Sequence, residues 1–184
     1  MNRFARILAL SLVAVAVFGC GKQDKIDQGG VIVVISSYDL PDLPATMSVS
    51  GSYPNVWGPD STITVRNQSR MPNNTTSQLM DVLIDGYEVS FTRGDFGTRV
   101  PPTLTEPVGG LVPIGGTMTQ TGVFLMRQDQ FESSVLRDLR LLHRDPETNS
   151  EVVRLIWHLK FYGHTISGDR VETQTISFNL DVQP

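Results

Sequence analysis

Val153-Arg154-Leu155-Ile156-Trp157-His158-Leu159-Lys160-Phe161 and Ile176-Ser177-Phe178-Asn179-Leu180-Asp181-Val182 decide how this chain folds. In the first, Val153, Leu155, Trp157, Leu159 and Phe161 take every second position, with Arg154, His158 and Lys160 between them. In the second, Ile176, Phe178, Leu180 and Val182 repeat the pattern. Successive side chains of a strand point to opposite faces, so each stretch reads as a strand with one buried face. The glycine-containing segment that follows Phe161, with Gly163, His164 and Gly168, predicts an antiparallel hairpin.

Upstream, short β-type segments alternate with turn residues. Val31 to Ser36 is an unbroken apolar run that predicts a strand buried on both sides, or a first strand packed across two sheets. Pro41 and Pro44 exclude Tyr38 to Pro44 from a central strand, because proline lacks a ladder donor. Ser61 to Arg66 predicts a strand with Ile63 and Val65 inward. Leu79 to Arg93 is the longest segment; its alternation slips between Ile84 and Tyr87, which predicts a bulge near Asp85-Gly86. Gly94 to Gly116 is rich in glycine and proline and reads as a long connection with one edge strand around Leu111. Thr117 to Met126 is the next strand. Asp129 and Glu132 then stand at capping-box spacing, ahead of Phe131, Val135, Leu139 and Leu142 at helical spacing. One short helix is expected over Gln130 to Leu142, with His143 as a cation at the negative end of its dipole.

Seven to nine short strands and one inserted helix imply an all-β, antiparallel two-sheet sandwich over residues 31–184. The arrangement resembles the immunoglobulin-like domains of bacterial surface lipoproteins, whose last two strands the terminal hairpin would match. The alternative is a lipocalin-type barrel, against which stand the irregular strand lengths and the helix before the hairpin.

Met1 to Cys20 has a different character: Arg3 and Arg6, an uncharged apolar run from Ile7 to Phe18, then Gly19 and the chain's one cysteine. The run is short for a bilayer span of about 20 residues and suits an export signal. Val17-Phe18-Gly19-Cys20 resembles the lipobox of bacterial lipoproteins. That resemblance implies a signal peptide over residues 1–19, cleavage before Cys20 and a diacylglyceryl thioether on its sulfur, usually joined by a further acyl chain such as palmitate. An ordinary signal peptide cut after Ala16, within Ala14-Val15-Ala16, is the competing reading. Residues 20–30 are polar and end in two glycines, as a lipidated tether would. Position 21 is glycine and not aspartate, which in Gram-negative lipoproteins implies outer-membrane sorting, periplasmic or surface-facing.

Composition narrows the partners. Removing the first 19 of 184 residues leaves 165, enough for one ordinary domain. The net charge of −4 becomes −6 once Arg3 and Arg6 are gone, and no basic run is present, so neither nucleic acid nor anionic lipid is expected to bind through charge. Membrane attachment must then come from lipid on Cys20, and no disulfide can form within the chain.

No motif points to chemistry. His143, His158 and His164 lack metal-site spacing, with His158 read as a solvated outward position and His164 as part of the hairpin turn. Asp39 with Asp42, and Asp145 with Glu147, could offer oxygen to calcium, yet paired carboxylates in turns are usually solvated. No Gly-x-Ser-x-Gly occurs. The expectation is a non-catalytic envelope lipoprotein without metal or cofactor, displaying a binding or structural module to an unknown envelope protein or polysaccharide. The alternative is a carbohydrate-binding surface built from Tyr53 and Trp57 in a proline-rich loop, where large aromatics could form a platform or simply cap the core. Trp157 is expected in the core.

Overall fold

The computed structural model describes residues 30–40, 46–49, 56–57, 60–71 and 76–184. In chain order the elements are β1 (Val31–Asp39), β2 (Thr46–Ser48), β3 (Val56–Trp57), β4 (Thr62–Ser69), β5 (Val82–Arg93), β6 (Leu104–Val112), β7 (Thr117–Thr121) and β8 (Met126–Arg127). Two helices, α1 (Gln128–Phe131) and α2 (Ser134–Leu142), precede β9 (Val153–Thr165), β10 (Arg170–Glu172) and β11 (Ile176–Gln183). They build an all-β domain of two sheets with a short helical insert. The smaller sheet has the order β1-β4-β7 and the larger β2-β11-β9-β5-β6, with β10 also on β9 and a two-residue β3–β8 ladder apart. The ladders between these strands are antiparallel except at one edge, where β2 joins β11 in parallel; a single parallel bridge links Val33 to Thr173.

One core lies between the sheets. Val31, Val33, Ile35, Ile63 and Val65 of the smaller sheet share it with Val89, Phe91, Leu155, Trp157, Leu159, Phe161, Leu180 and Val182 of the larger. Burying each such side chain contributes roughly 1.5–3 kcal/mol before entropy is counted. Trp157 is fully buried as expected, edge-on to Phe91 at 6.4 Å between centroids. Tyr87 packs on Phe161 at 5.6 Å, and its hydroxyl accepts the Phe124 N–H at 2.9 Å. Burial pushes that phenol up to about 12.

The bulge falls where the parity slip predicts it: the registers of β5 with both β6 and β9 shift between Ile84 and Gly86. Other expectations need correction. β1 alternates and is not buried on both sides, since Ile32 is exposed while Val31 and Val33 are buried. The edge strand expected around Leu111 is present as β6 at the edge of the larger sheet, and only its length of nine residues goes beyond the expectation. Pro107, Gly109 and Gly110 obscure its pattern, and an edge is where a strand tolerates proline. β7 stops at Thr121, where Gly122 turns the chain with φ 69°. The expected single helix is two: Gln130, and not Glu132, reaches back, accepting the Arg127 N–H at 2.9 Å, and the chain breaks at Glu132-Ser133. Leu142 is exposed and Leu136 is buried in its stead.

The terminal hairpin is longer than expected, with β9 running through Gly163 and His164 to Thr165. Its return arm leaves the sheet between β10 and β11. There Thr173 bridges to Val33, and the Gln174 side chain accepts the Ile35 N–H at 3.3 Å and donates to the Ile35 carbonyl at 3.2 Å. The hairpin thereby ties the two sheets together at β1.

Glycine is required mid-strand at Gly163, where a Cβ would collide with the Leu83 carbonyl oxygen and the Ile84 Cα of β5. Backbone cannot yield as a side-chain tip can. Gly163→Ala is therefore expected to cost about 1–3 kcal/mol in urea unfolding, whereas Gly109→Ala, whose Cβ meets open space, should stay within about 0.5 kcal/mol of wild type.

Candidate functional site

The residues that alternate away from the core give the larger sheet a polar outer face. Register sets Ser177 of β11 and Ser90 of β5 on either side of His158, and Glu88 beside Lys160. The His158 Nε2 lies 2.8 Å from the Thr92 hydroxyl and its Nδ1 2.8 Å from the Ser177 hydroxyl. Hydroxyls donate or accept, so either neutral tautomer satisfies both contacts and the ring is held in place. The Lys160 ammonium lies 3.4 Å from Glu172 and 3.7 Å from Glu88. Glu88, Ser90, His158, Lys160, Thr175 and Ser177 line a depression of about 410 Å³. The arrangement offers a mixed set of donors and acceptors on a solvent-open floor. It suits a ligand rich in hydroxyl or other polar groups. Because hydroxyls occupy both His158 nitrogens, no carboxylate orients the ring as a Ser-His-Asp relay would require.

At the end of the same sheet lies a buried ion network. Arg93, the last residue of β5, bonds Asp95 at 2.6 Å and Asp145 at 2.8 Å, with the Arg93 and Asp145 side chains almost wholly buried. Arg99 adds contacts to Asp138 of α2 at 2.7 Å and to Asp145 at 3.2 Å. Glu147 accepts the Thr98 and Arg99 N–H groups at 2.9 and 3.0 Å. The expectation of a solvated carboxylate is corrected at Asp145, which is buried and is the hub, while Glu147 stays exposed. Burial alone would push its carboxyl up, but hydrogen bonds from Arg93 and Thr148, with the Arg93 charge, outweigh this and hold it at about 2. The Thr98 and Arg99 donors likewise depress Glu147, led by the Arg99 N–H.

Of the residues singled out in the sequence, Cys20 and Tyr53 lie outside the described residues. Trp57 is described through its backbone alone, which pairs with Met126. His143 ends α2 in the left-handed region with φ 56°. His164 is in β9 and not in the turn, 3.0 Å from Asp85. Among the described residues no group of three or more His, Cys, Asp or Glu could hold a metal ion. Nor, among them, is any helix long and apolar enough to cross a membrane. The groups around His158 were missed because each looks like an ordinary outward residue of its own strand. Only the register reveals that they converge.

No protein-family model matches the chain, and no curated protein matches it. Among solved structures it is similar to the solution structure of a protein provisionally assigned as late embryogenesis abundant (LEA), with 14% identity, over 97% of this chain and 85% of that one, at a TM-score of 0.43. So distant a likeness carries no argument about function.

The ion network yields a prediction. The folded carboxyl of Asp145 lies below the value of an unfolded aspartate, about 3.9. Its contribution is therefore whole above about pH 4 and is lost as pH falls towards 2. Asp145→Asn should remove about 1.5–3 kcal/mol by weakening the charged hydrogen bond to Arg93, which keeps its pair with Asp95, and should flatten the acid limb of a stability-against-pH curve measured by chemical denaturation.

Proposed function

We propose that this chain is a lipid-anchored envelope protein that displays an immunoglobulin-like β-sandwich as a non-catalytic binding or structural module. The observation that carries the reading is the order of the first thirty residues: a basic start, an apolar run, Val17-Phe18-Gly19-Cys20, then a polar segment ending at Gly30. Strand β1 begins at the next residue. A lipid on Cys20 would hold the domain at the membrane by a tether of about ten residues. One acyl chain binds marginally, with a constant on the order of 10⁴ M⁻¹, whereas two or three anchor stably. Gly21 favours the outer membrane. Two facing, mainly antiparallel sheets are compatible with an immunoglobulin-like domain.

The test is metabolic. Labelled palmitate should enter the wild-type chain in its host, globomycin should block the processing, and Cys20→Ala should release the protein from the membrane fraction. A wild-type chain that takes up no label would sink the reading.

The outer-face depression favours one ligand class within it. Ser90, Thr175, Ser177, His158, Lys160 and Glu88 match the alternating donors and acceptors of a polysaccharide better than an apolar ligand. This gives the carbohydrate reading a second candidate surface beside Tyr53 and Trp57. Titration with the host's envelope polysaccharides should give binding that His158→Ala and Lys160→Ala each weaken about tenfold or more, the loss of roughly one charge-assisted hydrogen bond. Equal affinity in both variants would remove the sheet face as the site.

A further inference from the structure

The end of the domain at which the chain enters carries exposed apolar side chains where polar ones would serve. Leu79 is 57% exposed on a 3₁₀ turn (Gln78–Met80) that buries none of its residues. Ile166 is 46% exposed at the second position of the tight turn between β9 and β10, closed by the Gly168 N–H on the Thr165 carbonyl at 2.8 Å. Such tips ordinarily take Gly, Pro, Asn, Asp or Ser. Met71, two residues past β4, is 63% exposed. Single apolar side chains at a surface need no explanation, but these are built into one platform. The Asp81 and Leu79 carbonyls accept the Ile166 and Ser167 N–H groups at 2.8 and 3.1 Å, which fixes the hairpin tip on the 3₁₀ turn. The Gly30 carbonyl accepts the Arg70 N–H at 3.0 Å, and a Cβ on Gly30 would stand 3.2 Å from the terminal carbon of Met80. Gly30 is thus joined to Arg70, next to Met71, and to Met80, next to Leu79.

The place of entry decides what covers this platform. Cys20 stands ten residues before Gly30, and that length of chain reaches at most about 35 Å when fully extended. A lipid on Cys20 therefore keeps the apolar end beside the bilayer, at an effective concentration that lets even a weak contact form. Charge neither drives nor forbids the contact. Arg66, Arg70 and Arg170 stand near this end against Asp81, Asp85, Asp169 and Glu172. Of the acids, Glu172 is paired with Arg170 at 3.1 Å, Asp85 lies 3.0 Å from His164, and Asp81 accepts the Ile114 N–H at 2.8 Å. The segment from Cys20 balances Lys22 and Lys25 with Asp24 and Asp27, and residues 72–75, which follow Met71, are uncharged. Apolar area is left as the driving term.

We propose, resting on the lipid-anchor reading, that Leu79, Ile166 and Met71 seat the tethered end of the domain on the bilayer surface that takes the lipid of Cys20. The apolar side chains enter the boundary between headgroups and acyl chains, while the stems of Arg70 and Arg170 let their charges stay at headgroup level. The strands then stand on end over the membrane. The seated end covers neither sheet face, so the depression around His158 stays open.

Acylation blocks the chain's one native thiol, so an introduced cysteine can be labelled alone. The acylated chain, reconstituted into phosphatidylcholine vesicles, carries a nitroxide on Gln78→Cys, beside Leu79, or on Phe96→Cys, beyond the far end of the 12-residue β5. The label at 78 should be shielded from a water-soluble nickel complex, at a depth within about 5–10 Å of the headgroup–acyl boundary, and the label at 96 should be fully open to nickel. Leu79→Asn combined with Ile166→Asn should leave flotation with the vesicles and the urea midpoint unchanged, yet make position 78 as open as 96. Adding phosphatidylglycerol should change neither result. Equal access at 78 and 96, shielding that needs phosphatidylglycerol, shielding that survives the double substitution, or spin–spin broadening between two copies labelled at 78 would overturn the proposal. Flotation reads the anchor separately: an unacylated chain that stays out of the vesicle fraction removes the anchor and the seating with it, whereas a floating chain open at 78 removes the seating alone.

Discussion

The contact between Arg93 and Asp145 is the buried centre of the contacts that join the end of β5 to the turn after the helical insert. Arg93 closes the longest strand, and Asp145 begins the turn after the helical insert. Between them sit a loop from β5, carrying Asp95 and Arg99, and the α2 residue Asp138. Each charge by itself would be costly to bury, and a buried pair that loses one partner leaves the other uncompensated. The network shares that cost, because Arg93 and Arg99 each have more than one carboxylate partner. While it is complete, the loop at residues 94–99, the helix and the end of the larger sheet behave as one rigid corner.

The two sheets depend on a second join of a different kind. Apolar packing brings them face to face, but packing alone is tolerant of sliding. The detour of the return arm at Thr173 and Gln174 fixes β1 against the larger sheet through backbone-directed hydrogen bonds. Directional bonds of this sort add little net stability each, about 1 kcal/mol, yet they select one register from several. The core supplies the cohesion and the polar joins supply the alignment.

What could be read from the sequence follows this division. Alternation places Leu155, Trp157, Leu159, Leu180 and Val182 in the core, and the parity slip at Asp85-Gly86 locates the bulge, because both are properties of one strand. β6 is legible only around Leu111, because Pro107, Gly109 and Gly110 break the rest of its pattern at an edge that tolerates them. The cluster around His158 and the hub at Asp145 depend on which strand lies beside which, and no local pattern records that. Asp145 in particular sits among Pro146, Glu147 and Asn149, surroundings that resemble any exposed turn.

Gln174 has a consequence beyond alignment. Strand β1 is at the edge of its sheet, and an open edge offers unpaired backbone groups to any passing chain. At Ile35 those groups are already occupied by a side-chain amide that imitates a peptide unit, and at Val33 they face Thr173. Gln174, with Thr173 beside it, acts as a stopper for strand addition along β1. A second chain could add to this edge only by first displacing that amide, so neighbouring molecules are kept from zipping onto β1 into a continuous sheet.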